Sequence, residues 1–475
     1  MIRTTLLWML VSFLAVYAWR DWYKSLCGLI LLVAVVQHPD FPNSVLGIHG
    51  LNPWNLLLAA IVPAWLNARR HEKLTFDAPP GVIVLLCIFF FFVVLAYVRM
   101  ASDKAGLVVY TEYFFGEPPS QMYLLSEYII NCLKWVVPAF MLYDGCRSEQ
   151  RLRLAVLAVL GVYVLLALQV IRWMPLGMLT SGDDLSERGL KILVNEIGFH
   201  RVNMSMMLAG ASWALYAARN YPPSILFRYG LIFLSGVCLF ALALTGGRMG
   251  LVTWALMGGI FALWKWRGLL VLGPVVLILI IALVPAARDR LMQGFAGGEV
   301  QTNNAIEETL YLETDETSWY TVTSGRTFAW PFVVAEIAKA PMFGYGRDAM
   351  IRTGVAGMLL FEYGESFPHP HNAYLQWLMD NGIVGAIPVI MLYWIFLRRA
   401  GSLFADREDK TAEMIGGICL SLLLAFLIAG IGSQTFYPRE GAVGMWCAVG
   451  LALRVYRQRE LRNSRVSAAT QVQAV

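Results

Sequence analysis

Charge is what this chain has least of. Of its 475 residues, 15% are Asp, Glu, Lys or Arg, where ordinary soluble domains carry about 25%. Hydrophobic residues make up 58% and mean hydropathy is +0.60, which excludes an ordinary soluble domain. The seven cysteines, at 27, 87, 132, 146, 238, 419 and 447, form no C-x-x-C pair and none adjoins a histidine. That excludes a disulfide frame or a zinc site and leaves them as small buried hydrophobes. Internal repeats are missing. Charge inside the apolar runs is scarce apart from Lys134, so a transporter or flippase would lack its polar pathway. Gly344-Tyr345-Gly346 lacks the Lys-Ser/Thr that a nucleotide phosphate loop needs. The net charge of +5 comes from basic links and is no argument for a nucleic-acid partner.

What is present is apolar length, in runs of about 17–25 residues, enough to cross a bilayer as a helix. Candidate spans are 4–19, 23–37, 51–66, 81–98, 122–143, 152–172, 200–218, 226–246, 248–264, 268–285, 371–397, 411–432 and 440–456. This predicts an all-α polytopic membrane protein of about 12–13 spans. The first two runs are short, and the run from Leu6 to Ala18 reads as a retained span rather than a cleaved leader. Basic residues collect in alternate links, around Arg20, Arg69, Arg147, Arg219, Lys265, Arg398 and Arg454, which the positive-inside rule assigns to the cytoplasm. The opposite side then receives the 173–199 link, the turn before Arg248 and a long polar segment. The chain divides into an N-terminal bundle 1–285, an external loop 286–370, C-terminal helices 371–456 and a basic tail 457–475. Beyond Arg465 the tail is expected to be disordered.

The stretch Ser366–Gly385, S-F-P-H-P-H-N-A-Y-L-Q-W-L-M-D-N-G-I-V-G, is the most unusual. Pro368 and Pro370 hold the chain extended, so a helix is expected to begin near His371, with Tyr374, Leu375 and Leu378 on the same face. Asn381-Gly382 predicts a break before a full span. His371 is thereby a candidate base at the mouth of a bundle, or simply a helix cap. With His369 it forms H-x-H, but no third metal ligand at sensible spacing follows. Upstream, Ser324-Gly325-Arg326 predicts a capped amphipathic helix carrying Phe328, Phe332, Ala335 and Ile337 and stopping before Pro341.

Arg248 follows a glycine pair between two apolar runs. It reads either as a guanidinium aimed at a diphosphate or as a loop arginine snorkelling to headgroups. Arg326 opens a helix after a glycine, where backbone N–H groups favour an anion. Arg201, beside His200, starts the seventh span and would be a third positive group or an interface anchor.

The order of these parts resembles the O-antigen ligase and polymerase superfamily of bacterial inner-membrane glycan transferases. S-G-R-T-F-A-W, P-M-F-G-Y-G and H-N-A-Y-L-Q-W-L-M-D-N-G-I-V-G carry the resemblance, which runs by motif from about Arg201 to Gly385 and by hydropathy over the whole chain. Asp380 stands where many members have Glu, and Gly247 where Ser is common. The resemblance implies a GT-C-like membrane-helical fold with a large periplasmic loop. The implied donor is an undecaprenyl-diphosphate-linked glycan, and the acceptor a second glycan, a lipid A core or a protein. It implies no cofactor and no metal. Arg248 and Arg326, and less surely Arg201, would hold the diphosphate. His371 would act on the acceptor hydroxyl, with Asn372, Tyr374 and His369 in support. Ligase is favoured over polymerase or protein glycosylation.

Overall fold

The computed structural model describes residues 2–45, 48–175, 177, 188–292, 322–323, 325–432 and 435–473. The helices used below are α1 (Ile2–Tyr17), α2 (Trp22–Leu31), α3 (Pro53–His71), α4 (Pro80–Ser102), α5 (Ala105–Phe115), α6 (Gln121–Gly145), α7 (Glu149–Trp173), α8 (Arg201–Ala218) and α9 (Ile225–Leu244). They continue as α10 (Arg248–Trp264), α11 (Leu269–Leu283), α12 (Pro285–Met292), α13 (Arg326–Lys339), α14 (Ala349–Arg352), α15 (Val355–Tyr363), α16 (Ala373–Phe404), α17 (Lys410–Ala429) and α18 (Val443–Gln473). Among the described residues, strand is limited to a two-residue antiparallel pairing of Ser44–Val45 with Ile48–His49.

Every apolar stretch named above lies on helix, and the molecule is an all-α polytopic membrane protein. Among the described residues, six helices are long and apolar enough to cross a bilayer, or up to seven if the sharply bent pair α11 and α12 is one span. Three other predicted spans fall on shorter apolar helices, Arg3–Tyr17, Trp22–Ala34 and Arg248–Trp264. All seven cysteines are free and, Cys87 excepted, buried.

α8 is the centre of the bundle, packed on α17, α9 and α10. Its run Ala209-Gly210-Ala211-Ser212 removes bulk, so neighbouring backbones approach closely. Polar groups bridge helices there. Ser212 and Ser235 share a hydroxyl bond of 3.2 Å, and Trp254 Nε1 donates to Ser212 Oγ at 3.1 Å.

One end of the bundle is laced by ion pairs. Arg454 meets Asp77 at 2.8 Å, Lys265 meets Glu413 at 3.0 Å, and Arg69 and Arg147 share the buried Asp144. Arg459 pairs with Asp406, and Arg151 lies over Trp22 and Tyr23. These contacts gather the basic links at a common end, as the charge pattern predicts.

Two expectations are corrected. α18 stays helical through Gln473, where a disordered tail was expected after Arg465; the helix that is buried as far as Val455 simply continues. α16 begins at Ala373, two residues past His371, so the helix starts where expected but the expected shared face does not form. Asn372 is its N-cap, with Oδ1 accepting from the Tyr374 and Leu375 amides at 3.0 and 3.1 Å. His371 precedes the cap at φ +49°, so it shares no helical face with Tyr374. An Asn carbonyl oxygen is an effective cap acceptor, and it leaves the imidazole outside the helix.

The predicted break in α16 is real. Gly382 is non-helical at φ +64°, and the segment 341–346 is threaded into the gap. Tyr345 and Gly346 amides donate to the freed carbonyls of Met379 and Asp380 at 2.9 and 2.7 Å. Ile383 and Val384 amides donate to Pro341 and Met342 at 2.9 and 3.1 Å. The backbone groups released by the break are thus satisfied inside the protein, as a membrane setting requires. Gly344 also has positive φ, and a Cβ there would strike Met379 O, while one at Gly382 would strike Met342 O.

Candidate active site

Arg201, Arg248 and Arg326 are each the first residue of a helix, α8, α10 and α13. All three line a cavity of about 510 Å³, together with His200, His371 and Arg290. The local sequence explains the convergence. A Cβ on Gly247 or Gly250 would run into Ser205 of α8, so these glycines let the start of α10 lie against the start of α8. The absence of a side chain at Gly247 is therefore a packing requirement here. Gly325, at φ +74°, turns the chain into α13.

α13 carries its cavity-lining residues on a helix anchored beneath. Ala329 and Val333 are buried in a small core with Leu359, Phe367 and Met379, flanked by Phe328, Phe332 and Ile337. Ala335, expected on that stripe, is exposed, because the buried face centres on Ala329 and Val333, one position later than Phe328 and Phe332. Ser324, the expected cap, and the acidic stretch Glu299 to Tyr320 lie outside the described residues. Trp330 Nε1 donates to Pro370 O at 2.9 Å, which ties the helix bearing Arg326 to the segment bearing His371.

The electrostatics follow from this crowding. No acidic side chain is among the described lining residues of the cavity. Burial, with Arg248 and Arg201 nearby, lowers the Arg326 pKa to about 10. Burial, then Arg326 and His200, pushes His371 down to about 4. Its imidazole is accordingly neutral at pH 7 and can accept a proton. Helix N-termini add positive potential at the same place. Such a cavity suits a polyanion.

The other sequence candidates sit differently. His369 stacks near His371, ring centroids 4.1 Å apart, but lines an adjoining cavity. Asn372 is occupied as the α16 cap. Tyr374 donates to Leu427 O at 2.9 Å and lines an apolar groove rather than the arginine cavity. Lys134 lies 4.4 Å over the Trp135 ring, a cation–π contact that accounts for an in-span cation. Among the described residues, no three His, Cys, Asp or Glu side chains gather as a metal set.

Sequence reasoning overlooked Arg290 and Arg347. Arg290 reaches the cavity because α12 folds back by 106° from α11, and the only signal was a proline, Pro285, ahead of a short A-A-R-D-R run. Arg347 follows a Gly-x-Gly dismissed as a phosphate loop, yet it is buried behind the site.

Comparison with known proteins supports the resemblance. Residues 233–390 match the family described as O-antigen ligase. About a third of the chain therefore resembles that family. The matched stretch holds Arg248, Arg326, His369 and His371, and leaves Arg201 outside its limits. A Rickettsia conorii protein named as a candidate polysaccharide ligase is 29% identical over 136 residues, 27% of this chain and 31% of that protein. The chain thus spans about a third of the length of that curated relative. These matches support membership of the O-antigen ligase superfamily and a glycan-transferring activity at family level.

Proposed function

We propose that this O-antigen ligase-like protein transfers a glycan from an undecaprenyl-diphosphate carrier to a lipid A-core acceptor, on the periplasmic face of the bacterial inner membrane. The observation that carries the reading is the convergence of Arg201, Arg248, Arg290 and Arg326 on one cavity with His371 in its wall.

The acceptor hydroxyl oxygen bonds to the anomeric carbon while the bond from that carbon to the carrier's diphosphate oxygen breaks. The electron pair leaves on the diphosphate, and the hydroxyl proton passes to His371. Negative charge grows on the leaving group, where guanidinium donors stabilise it. Attack opposite the leaving group inverts the anomeric centre. The bound diphosphate also offsets the Arg326 field that helps to hold the His371 pKa down, so the imidazole becomes a stronger base once the donor is seated. Arginines supply the charge stabilisation, and no metal is required in this scheme.

An apolar groove of about 240 Å³ runs between α16 and α17, lined by Tyr374, Trp377, Val389, Trp394 and Leu427. Trp394 is 63% exposed and Ile390 62%, so the groove opens outward, where a polyprenyl chain would lie. Tyr374 takes its supporting role here.

The test is transfer by the purified full-length protein in detergent, with undecaprenyl-diphosphate-linked glycan and rough-type lipooligosaccharide. Glycosylated lipooligosaccharide formed in the presence of EDTA is the expected product. Elongation of the carrier-linked glycan instead would make the protein a polymerase. Loss of activity restored by a divalent ion would overturn the metal-free scheme.

A further inference from the structure

A second cavity, of about 350 Å³, meets the arginine cavity at His200 and His371. That volume falls in the range of about 300–1,000 Å³ usual for small-molecule sites. Its chemistry differs from that of its neighbour. The cations in its described lining, Arg347 and Arg439, are balanced by Glu127 and Asp348, and the remaining polar groups include Tyr128 and Gln376. A balanced set of carboxylates, phenols and amides suits a neutral, hydroxyl-rich ligand better than an anion.

Two groups in this wall lack the hydrogen bonds that burial demands. Arg347 is 3% exposed, yet its Nε and one terminal nitrogen, Nη1, make no hydrogen bond. Its guanidinium stacks 3.6 Å from the Tyr437 ring and stands 3.9 Å from Asp380. Beside it, Asp348 is held at φ +54°; its Oδ1 lies 3.9 Å from Arg347 Nε, and its Oδ2 makes no hydrogen bond. Buried donors and acceptors of this kind are costly unless a partner arrives. The more open charges of the same lining, Glu127 and Arg439, stand 4.0 Å apart, where vicinal sugar hydroxyls can donate to the carboxylate and accept from the guanidinium.

We infer that this second cavity is the acceptor subsite, holding a neutral sugar ring of the acceptor glycan with its nucleophilic hydroxyl at the shared His371 wall. The inference rests on the reading of the arginine cavity as the donor-diphosphate site. Two chambers that meet at His200 and His371 let acceptor and leaving group approach the anomeric carbon from opposite sides. The charge difference between them sorts diphosphate from sugar.

The test uses the full chain in lipid nanodiscs and isothermal titration with two probes, delipidated core oligosaccharide and free repeat-unit oligosaccharide. Undecaprenyl diphosphate is titrated in parallel. Gly441→Leu should block the chamber, because a Cβ at Gly441 meets only Met207 and Asn203 at 3.7 and 3.9 Å. Glu127→Gln is the milder variant, since the new amide oxygen can still accept from Asn131 Nδ2, now 2.8 Å from Glu127. Both variants should weaken oligosaccharide binding at least tenfold and leave undecaprenyl diphosphate binding within twofold. The probe that binds tells lipid core from growing polymer. Oligosaccharide binding that is undetectable in the wild type, or unchanged in both variants, overturns the assignment. So does parallel loss of undecaprenyl diphosphate binding, which would give the chamber to the donor. If Arg326→Ala leaves undecaprenyl diphosphate binding intact, the donor-site reading fails by itself, and the oligosaccharide titrations still decide the chamber.

Discussion

The two ends of the helical bundle use arginine in opposite ways. At the end bearing the basic links, Arg454 sits on Asp77 and Arg69 on the buried Asp144, and the charges close the bundle. At the other end, Arg201, Arg248 and Arg326 face one another, and proximity to the first two helps burial lower the pKa of the third. Like charges gathered by three helix starts do not stabilise a fold. They are tolerated because the helices are anchored elsewhere, by the small-residue core of α8 and by Ala329 and Val333 beneath α13. Arginine paired with carboxylate closes one end of this bundle, and arginine grouped with arginine is the feature on which the proposed site rests.

The largest break in that comparison is expected at His371. His371→Asn preserves the left-handed backbone, which Asn tolerates, and removes the base. Turnover should fall by about 10²–10⁴ while undecaprenyl diphosphate binding is retained, measured by single-turnover kinetics and titration. Unchanged turnover would reduce His371 to a backbone role. Next come the arginines. Arg248→Ala or Arg326→Ala should lower transfer by about 10²–10³ with normal membrane insertion. Arg454→Ala should do the reverse, costing about 3–5 kcal/mol of stability with transfer per folded molecule unchanged, as thermal unfolding and rate assays on the same samples would report.

A smaller effect sharpens the geometry between the two ends. Gly382→Ala combines a positive φ with a clash at Met342 O, and should cost about 2–3 kcal/mol, read as a lower midpoint of detergent thermal unfolding. The smallest effect is in pH. In the unloaded protein His371 has its pKa lowered from 6.5 to about 4, so the folded state binds fewer protons there than the unfolded chain. Stability from this group therefore rises with pH between about 4 and 6.5 and is level above that. Undecaprenyl diphosphate should shift the His371 imidazole titration upward, which histidine NMR in nanodiscs would detect; no shift would separate the diphosphate from His371.

Much of the fold was legible because membrane spans and helix stops are local signals. Apolar length placed the helices, Asn381-Gly382 placed the break, and the link charges grouped one end. The place of His371 on the α16 face was misjudged because the cap falls on Asn372, and only the cap geometry puts the imidazole outside the helix. Arg290 and Arg347 were invisible for a different reason. Each is carried in by a turn, one at Pro285 and one at Gly346, whose direction no periodicity encodes.

The sequence alone determined that this is a polytopic helical membrane protein, which residues could bind an anion, and which histidine could serve as a base. Only the tertiary structure decided that three arginines from three helix starts share one cavity, and that segment 341–346 fills the gap in α16. Those arrangements depend on contacts between residues far apart in the chain. Hydropathy and local spacing report what each segment can do, whereas close packing decides which segments meet.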